Sequence, residues 1–178
     1  MNIIFLDIDG VLNCQEFYTR RQKSELGTYP LCEIDPWRIE LLNDLCKKVD
    51  AKIVISSTWR MGRTTEELQN IFREVGFTGE IIDCTPFYSH SESVRGDEIR
   101  GWIKDNEKLL DVENYWDFHT YVIIDDDSDM LLWQQRHFFQ TDNYSGLTPN
   151  TCYKIENFFK RTKNHDKAGD TGYRFVGD

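Results

Sequence analysis

Three short apolar runs in this chain each end in a cluster of side-chain oxygens, and no other feature restricts the fold as much. Residues 3–6 (IIFL) lead into Asp7 and Asp9, residues 52–55 (KIVI) into Ser56, Ser57 and Thr58, and residues 120–124 (TYVII) into Asp125, Asp126 and Asp127. Apolar runs this short, bounded by turn signals, read as buried strands. The stretches between them carry a helical period. Trp37, Leu41, Leu42, Leu45 and Val49 predict a helix over 36–49, opened by Asp35 as N-cap and Pro36 at the first helical position. Thr64 with Glu67 spells a capping box for a helix over about 65–75, and Gly76 is its stop. Ile99, Trp102 and Ile103 share one face of a helix over about 96–106. A short strand at 80–82, a short helix near 128–136, a strand near 137–140 and a last helix from Thr148-Pro149 to about 161 complete the pattern. Residues 14–35, with Gly27 and Pro30, read as an irregular excursion, and 84–94 as a polar, aromatic loop. Strands alternating with helices predict a three-layer α/β fold around a mostly parallel five-stranded sheet.

A length of 178 residues suits one such domain, placed at 1–162. The stretch 163–178 has little apolar content and is expected to be loosely held. The net charge of −10 argues against a broad basic face that tracks nucleic acid by itself, but leaves room for a local basic pocket or a bound cation. The five cysteines (14, 32, 46, 84 and 152) form no CxxC pair and no zinc spacing, so reduced thiols are expected. No apolar run approaches the ~20 residues of a membrane span, and MNIIFLDIDG lacks the basic start of a signal peptide. The expected location is cytoplasmic.

In parallel α/β sheets the ligand site lies beyond the carboxyl ends of the strands. Taken singly, the features there are ordinary: Asp9-Gly10 is a common turn pair, and three aspartates in a loop are often a solvated cluster. Their convergence is less ordinary. Two strands deliver at least four carboxylates to one edge, and such charges repel unless a cation or proton lies among them. Oxygen donors of this kind suit Mg2+.

These segments resemble the motifs of the haloacid dehalogenase superfamily. FLDIDGVLN (5–13) resembles its DxDG(T/V) motif, and IVISS (53–57) its second motif, a strand ending in Ser or Thr. Arg95 fits the third, a Lys or Arg ahead of a helix, and VIIDDDSD (122–129) the fourth, an acidic pair after a strand. FLDIDGVLN with ISSTWR (55–60) and YVIIDDDSD is similar to the branch found as a phosphatase domain in RNA-repair proteins and phage relatives. The resemblance implies a Mg2+-dependent phosphatase. Asp7 would be the nucleophile and Asp9 the general acid, then base. The Asp7 carboxylate, the Asp9 carbonyl and Asp126 would hold the metal, supported by Asp125 and Asp127, with Asp127 or Asp129 as substitutes if the register shifts. Ser56 would bind a phosphoryl oxygen, with Ser57 beside it, and Arg95 would neutralise the phosphoryl charge and orient Asp7. The implied substrate is a phosphate monoester, a nucleotide or a nucleic-acid end.

Other residues are weighed on their own. Arg60 and Arg63 follow the second motif and are candidates for substrate contact, as is the basic cluster Arg20, Arg21 and Lys23, set against an ordinary solvated surface. His90 reads as structural, and Trp59, Trp102 and Trp116 as core or rim. Neither gap in which this superfamily inserts a cap has room for a substantial one, so an open site is expected. A phosphotransferase would share the same site, and a binding protein could keep the acidic edge only to hold a cation; Asp9 argues against the latter, because a pure binder needs no acid there.

Overall fold

The computed structural model describes residues 1–23, 33–88, 94–110 and 120–167. Its elements are β1 (Asn2–Leu6), α1 (Gln15–Lys23), α2 (Pro36–Val49), β2 (Ala51–Ile55), a 3-10 turn (Thr58–Arg60), α3 (Thr65–Glu74), β3 (Ile81–Cys84), α4 (Arg95–Asp105), α5 (Glu107–Leu110), β4 (Tyr121–Asp125), a second 3-10 turn (Leu132–His137), β5 (Phe138–Gln140) and α6 (Pro149–Lys167). The five strands lie in the order β3-β2-β1-β4-β5, all parallel.

Strand pleating explains the continuous apolar runs. Successive side chains of β1 point to opposite faces, and both faces are covered. Ile4 and Leu6 join Ile53, Ile55, Val122 and Ile124 in a core shared with Ile39, Leu42 and Leu45 of α2, Leu68 and Phe72 of α3, and Ile155 and Phe159 of α6. Ile3 and Phe5 face the other way, into a second core with Tyr121, Ile123 and Ile99, Trp102 and Ile103 of α4. These are the three layers the alternating pattern predicts. The order reverses at β1, with β2 on one side and β4 on the other, so the loops after β1 and β4 meet at the switch point where such folds bind ligands.

The helix starts follow from local chemistry. The Asp35 carboxylate accepts from the Trp37 N–H at 3.1 Å, and Thr64 and Glu67 satisfy each other's backbone N–H groups at 3.2 and 2.7 Å. Several elements differ from expectation: β3 runs on to Cys84, and α5 has no counterpart in the sequence reading. Residues 15–23, read as irregular, form α1; β4 includes Asp125; the short helix near 128–136 is a 3-10 turn at Leu132–His137; and α6 runs past position 162 to Lys167. Among the described residues, α1 and α2 fill the first gap, and the 3-10 turn, α3 and β3 the second, with no further folded unit in either. No described helix is long and apolar enough to cross a membrane.

Candidate active site

β1 hands its last ladder bond to Asp7, whose N–H donates to the Ile124 carbonyl at 3.0 Å, and the buried Asp7 side chain emerges at the sheet edge. The chain then turns tightly. The Ile8 carbonyl accepts from Val11, Leu12 and Asn13, and Gly10 adopts φ 71°. Any Cβ on Gly10 would collide with the Asp126 carboxyl, so glycine is what lets the loops after β1 and β4 touch. Asp9 stays exposed; its Oδ1 accepts from Asn13 Nδ2 at 2.7 Å and its Oδ2 from Trp59 Nε1 at 3.1 Å.

β4 ends at Asp125, also buried. Its Oδ1 accepts from the Asp127 N–H at 3.0 Å, while its Oδ2 has no hydrogen-bond partner. Asp7, Asp125 and Asp126 each offer an oxygen within 4.8 Å of the others. Arg95 enters from the start of α4, where Asp129 Oδ2 accepts its backbone N–H at 2.9 Å. Its guanidinium lies 3.8 Å from Asp7 Oδ1, 3.6 Å from Asp125 Oδ2 and 3.6 Å from Glu98 Oε2, and it donates to the Ser56 carbonyl. The Ser57 hydroxyl hydrogen-bonds to Asp7 and accepts the Trp59 N–H at 3.4 Å. The Ser56 hydroxyl is buried without a partner.

Burial pushes the Asp7 carboxyl above the ordinary range; Arg95 and the Ser57 hydrogen bond oppose that, while Asp9 and Asp126 add to it. Asp125 is raised by burial first and by the Asp7 charge next, and Asp126 by burial and then Asp127. Three carboxyls forced toward protonation around one guanidinium are a site short of positive charge. An all-oxygen donor set in which Asp125 Oδ2 accepts no hydrogen bond fits Mg2+.

Asp7, Asp125, Asp126, Arg95 and Ser57 therefore converge. Asp127 is exposed and reaches the cluster through its backbone. Asp129 acts on the helix start rather than among the carboxylates. Two of the candidate arginines are engaged in holding the fold. Arg60 is buried, and its guanidinium donates to the carbonyls of Ser56, Ser57, Thr85 and Pro86 and to Glu98 at 2.6 Å, so it ties the second-motif loop to the loop after β3 instead of reaching a substrate. Arg20 pairs with Asp35 at 2.6 Å, a tie between α1 and α2. Arg63 donates to the Trp59 carbonyl at 2.9 Å. The Lys23 side chain, His90 and Trp116 lie outside the described residues. Trp102 is core, as expected. Asn13 and Glu98 carry no role in the sequence reading, and Trp59 reads there as core or rim; Asn13, within the first motif four residues after Asp9, is the readable signal.

The sequence pattern described as "HAD domain in Swiss Army Knife RNA repair proteins" matches residues 3–152, from β1 to the first turn of α6. Among curated proteins, none matches the chain.

Proposed function

The chain belongs to the family of HAD domains in Swiss Army Knife RNA repair proteins, whose domains point to hydrolase- or phosphatase-type chemistry, and on that premise we propose that it is a Mg2+-dependent phosphomonoesterase working through an aspartyl-phosphate. One observation carries the reading. The Asp7 carboxyl lies buried between the Arg95 guanidinium and the Ser57 hydroxyl, beside two further carboxylates.

The reaction follows from those positions. An Asp7 oxygen attacks phosphorus, the bond to the ester oxygen breaks, and a proton carried by Asp9 goes to that oxygen, which leaves as an alcohol. Water then attacks the same phosphorus, giving its proton to Asp9, and the Asp7–phosphorus bond breaks to release phosphate. Splitting a slow displacement into two carboxylate-assisted steps lowers each barrier. Arg95 steadies charge on the transferring oxygens and keeps Asp7 aimed, while Glu98 and the Ser56 carbonyl hold Arg95 in place. Asp7, Asp126 and the Asp9 carbonyl, with Asp125 alongside, would hold Mg2+, which would supply further charge neutralisation.

The proposed substrate is a phosphorylated nucleotide or nucleic-acid end, and the proposed location cytoplasmic. Support for the substrate class comes from the family and from the sheet edge. No further folded unit lies in either gap among the described residues, and Phe87 and Tyr88, in the loop after β3, expose ring surface on which a base can stack.

The test is hydrolysis of an aryl phosphate with Mg2+. Asp7→Asn keeps volume and charge-free contacts but removes the nucleophile, so turnover should fall by about 10³-fold or more with the melting temperature kept. Near-normal turnover of a folded Asp7→Asn protein removes Asp7 from the role. Comparing kcat/KM on a phosphorylated oligonucleotide with the matching mononucleotide tests the open site; a strong preference for the mononucleotide counts against it.

A further inference from the structure

Asp9 is an exposed member of the acidic edge, and an exposed carboxylate samples several rotamers unless something holds it. Both of its oxygens are held. Asn13 Nδ2 donates to one at 2.7 Å and Trp59 Nε1 to the other at 3.1 Å. Asn13 closes the same loop, whereas Trp59 arrives from the turn after β2.

The indole is itself fixed. The Trp59 backbone N–H rests on Ser57 Oγ at 3.4 Å, its carbonyl accepts from Arg63 Nη1 at 2.9 Å, and the Arg63 guanidinium lies 5.6 Å from the ring centroid. Ser57 also meets Asp7. One short turn, clamped behind by Arg60, thus reaches both aspartates of the first motif. Each Asp9 oxygen keeps a second lone pair after accepting one donor, so the carboxyl can carry a proton without giving up either contact.

We propose that Trp59 is a positioning residue for proton transfer at Asp9, its indole N–H and the Asn13 amide together setting the direction of the carboxyl toward the leaving oxygen. The inference rests on the phosphatase reading above and deepens it. As the bond from Asp7 to phosphorus forms and the ester bond breaks, the Asp9 proton passes to the leaving oxygen; Trp59 and Asn13 neither give nor take one. Aim matters in proportion to how much the leaving oxygen needs that proton. An alkoxide needs it, whereas a dinitrophenolate leaves without help.

The experiment compares the wild type with Trp59→Phe, which keeps a ring under Arg63 and deletes the N–H, on an alkyl phosphate and on 2,4-dinitrophenyl phosphate with Mg2+. The expected loss in kcat/KM is about tenfold on the alkyl ester, a part of the ~10²–10⁴ that a general acid supplies, and less than about twofold on the dinitrophenyl ester. In an Asp9→Asn background the same substitution should add no loss on the alkyl ester, because both changes act on one step. Equal losses on the two esters, or none on the alkyl ester, overturn the inference alone. A wild type that turns over neither ester overturns the phosphatase reading and this inference with it. A readout independent of turnover guards against a misfolded Trp59→Phe: the assigned Trp59 indole N–H proton should move upfield in Asp9→Ala, and an unmoved resonance overturns the contact.

Discussion

Two charge clusters in this chain, each built around buried groups, use the same residue types to opposite ends. In the first, the fully buried Arg38 is bonded to Asp35, to Glu16 at 2.9 Å and to the Ser145 carbonyl, and Arg20 adds a 2.6 Å contact to Asp35. Two guanidiniums meet two carboxylates, and the result fastens α1 and α2 to the Asp142–Gly146 turn. In the second, Asp7, Asp125 and Asp126 converge with one guanidinium, that of Arg95, beside Asp7 and Asp125. A balanced cluster is a clamp. A cluster with surplus carboxylate is held by the surrounding fold against its own repulsion, which is what a ligand-ready site requires.

The comparison breaks first at Arg38. Removing Arg38 leaves the buried Asp35 with Arg20 alone and empties a fully buried site; breaking a buried pair outright costs about 3–5 kcal/mol, so the loss here lies at or below that range, and each kcal/mol lowers the melting temperature of a domain of this size by about 2–4 °C. Arg38→Ala should show that loss while turnover per folded molecule stays near wild type. Asp125→Asn, measured in chelator, should show no such loss, because it removes a surplus charge. A thermally neutral Arg38→Ala, or an Asp125→Asn protein as damaged as Arg38→Ala, would erase the distinction.

The next effect belongs to the surplus itself. A cation that binds only the folded chain stabilises it by about 2.7 kcal/mol at a hundredfold excess over Kd. Mg2+ should therefore raise the wild-type melting temperature relative to chelator, and Asp126→Ala should lose most of that rise. An equal rise in Asp126→Ala places the cation elsewhere.

How much of this was legible depends on where each signal was stored. IIFL and YVII are apolar without interruption because both faces of β1 and β4 are covered, and the polar residues ending them mark the sheet edge directly. Helix α1 left no such trace. Phe17 is buried, but much of its anchorage is ionic and joins residues far apart in sequence, Glu16 to Arg38 and Arg20 to Asp35, so no period records it. Arg60 reads like any arginine after a phosphate motif; its burial depends on four carbonyls that only the folded loops present together. The Trp59 contact is hidden for the same reason, since an indole N–H reveals its acceptor only once β1 and β2 are side by side.

The smallest expected effect is the pH dependence of stability. Burial raises the carboxyls of Asp7 and Asp125 in the folded chain above their unfolded values. Between the unfolded and folded values the native state binds more protons than the unfolded state, so stability falls as pH rises through that window and levels above it. In chelator, the denaturation midpoint should be higher near about pH 5 than near about pH 8, where carboxyls at ordinary values are already ionised. The chain's net charge of −10 pushes the same way through general self-repulsion, so the gradient alone does not locate its source. Asp125→Asn does. It changes the overall charge by one but removes one of the raised groups and relieves Asp7, because the Asp125 charge no longer faces it. The gradient should therefore flatten by far more than one charge in ten. Saturating Mg2+ should flatten it too, by favouring the ionised carboxylates. A gradient unchanged by both treatments would assign the pH dependence to the surface and leave the Asp7–Asp125 pair without its surplus.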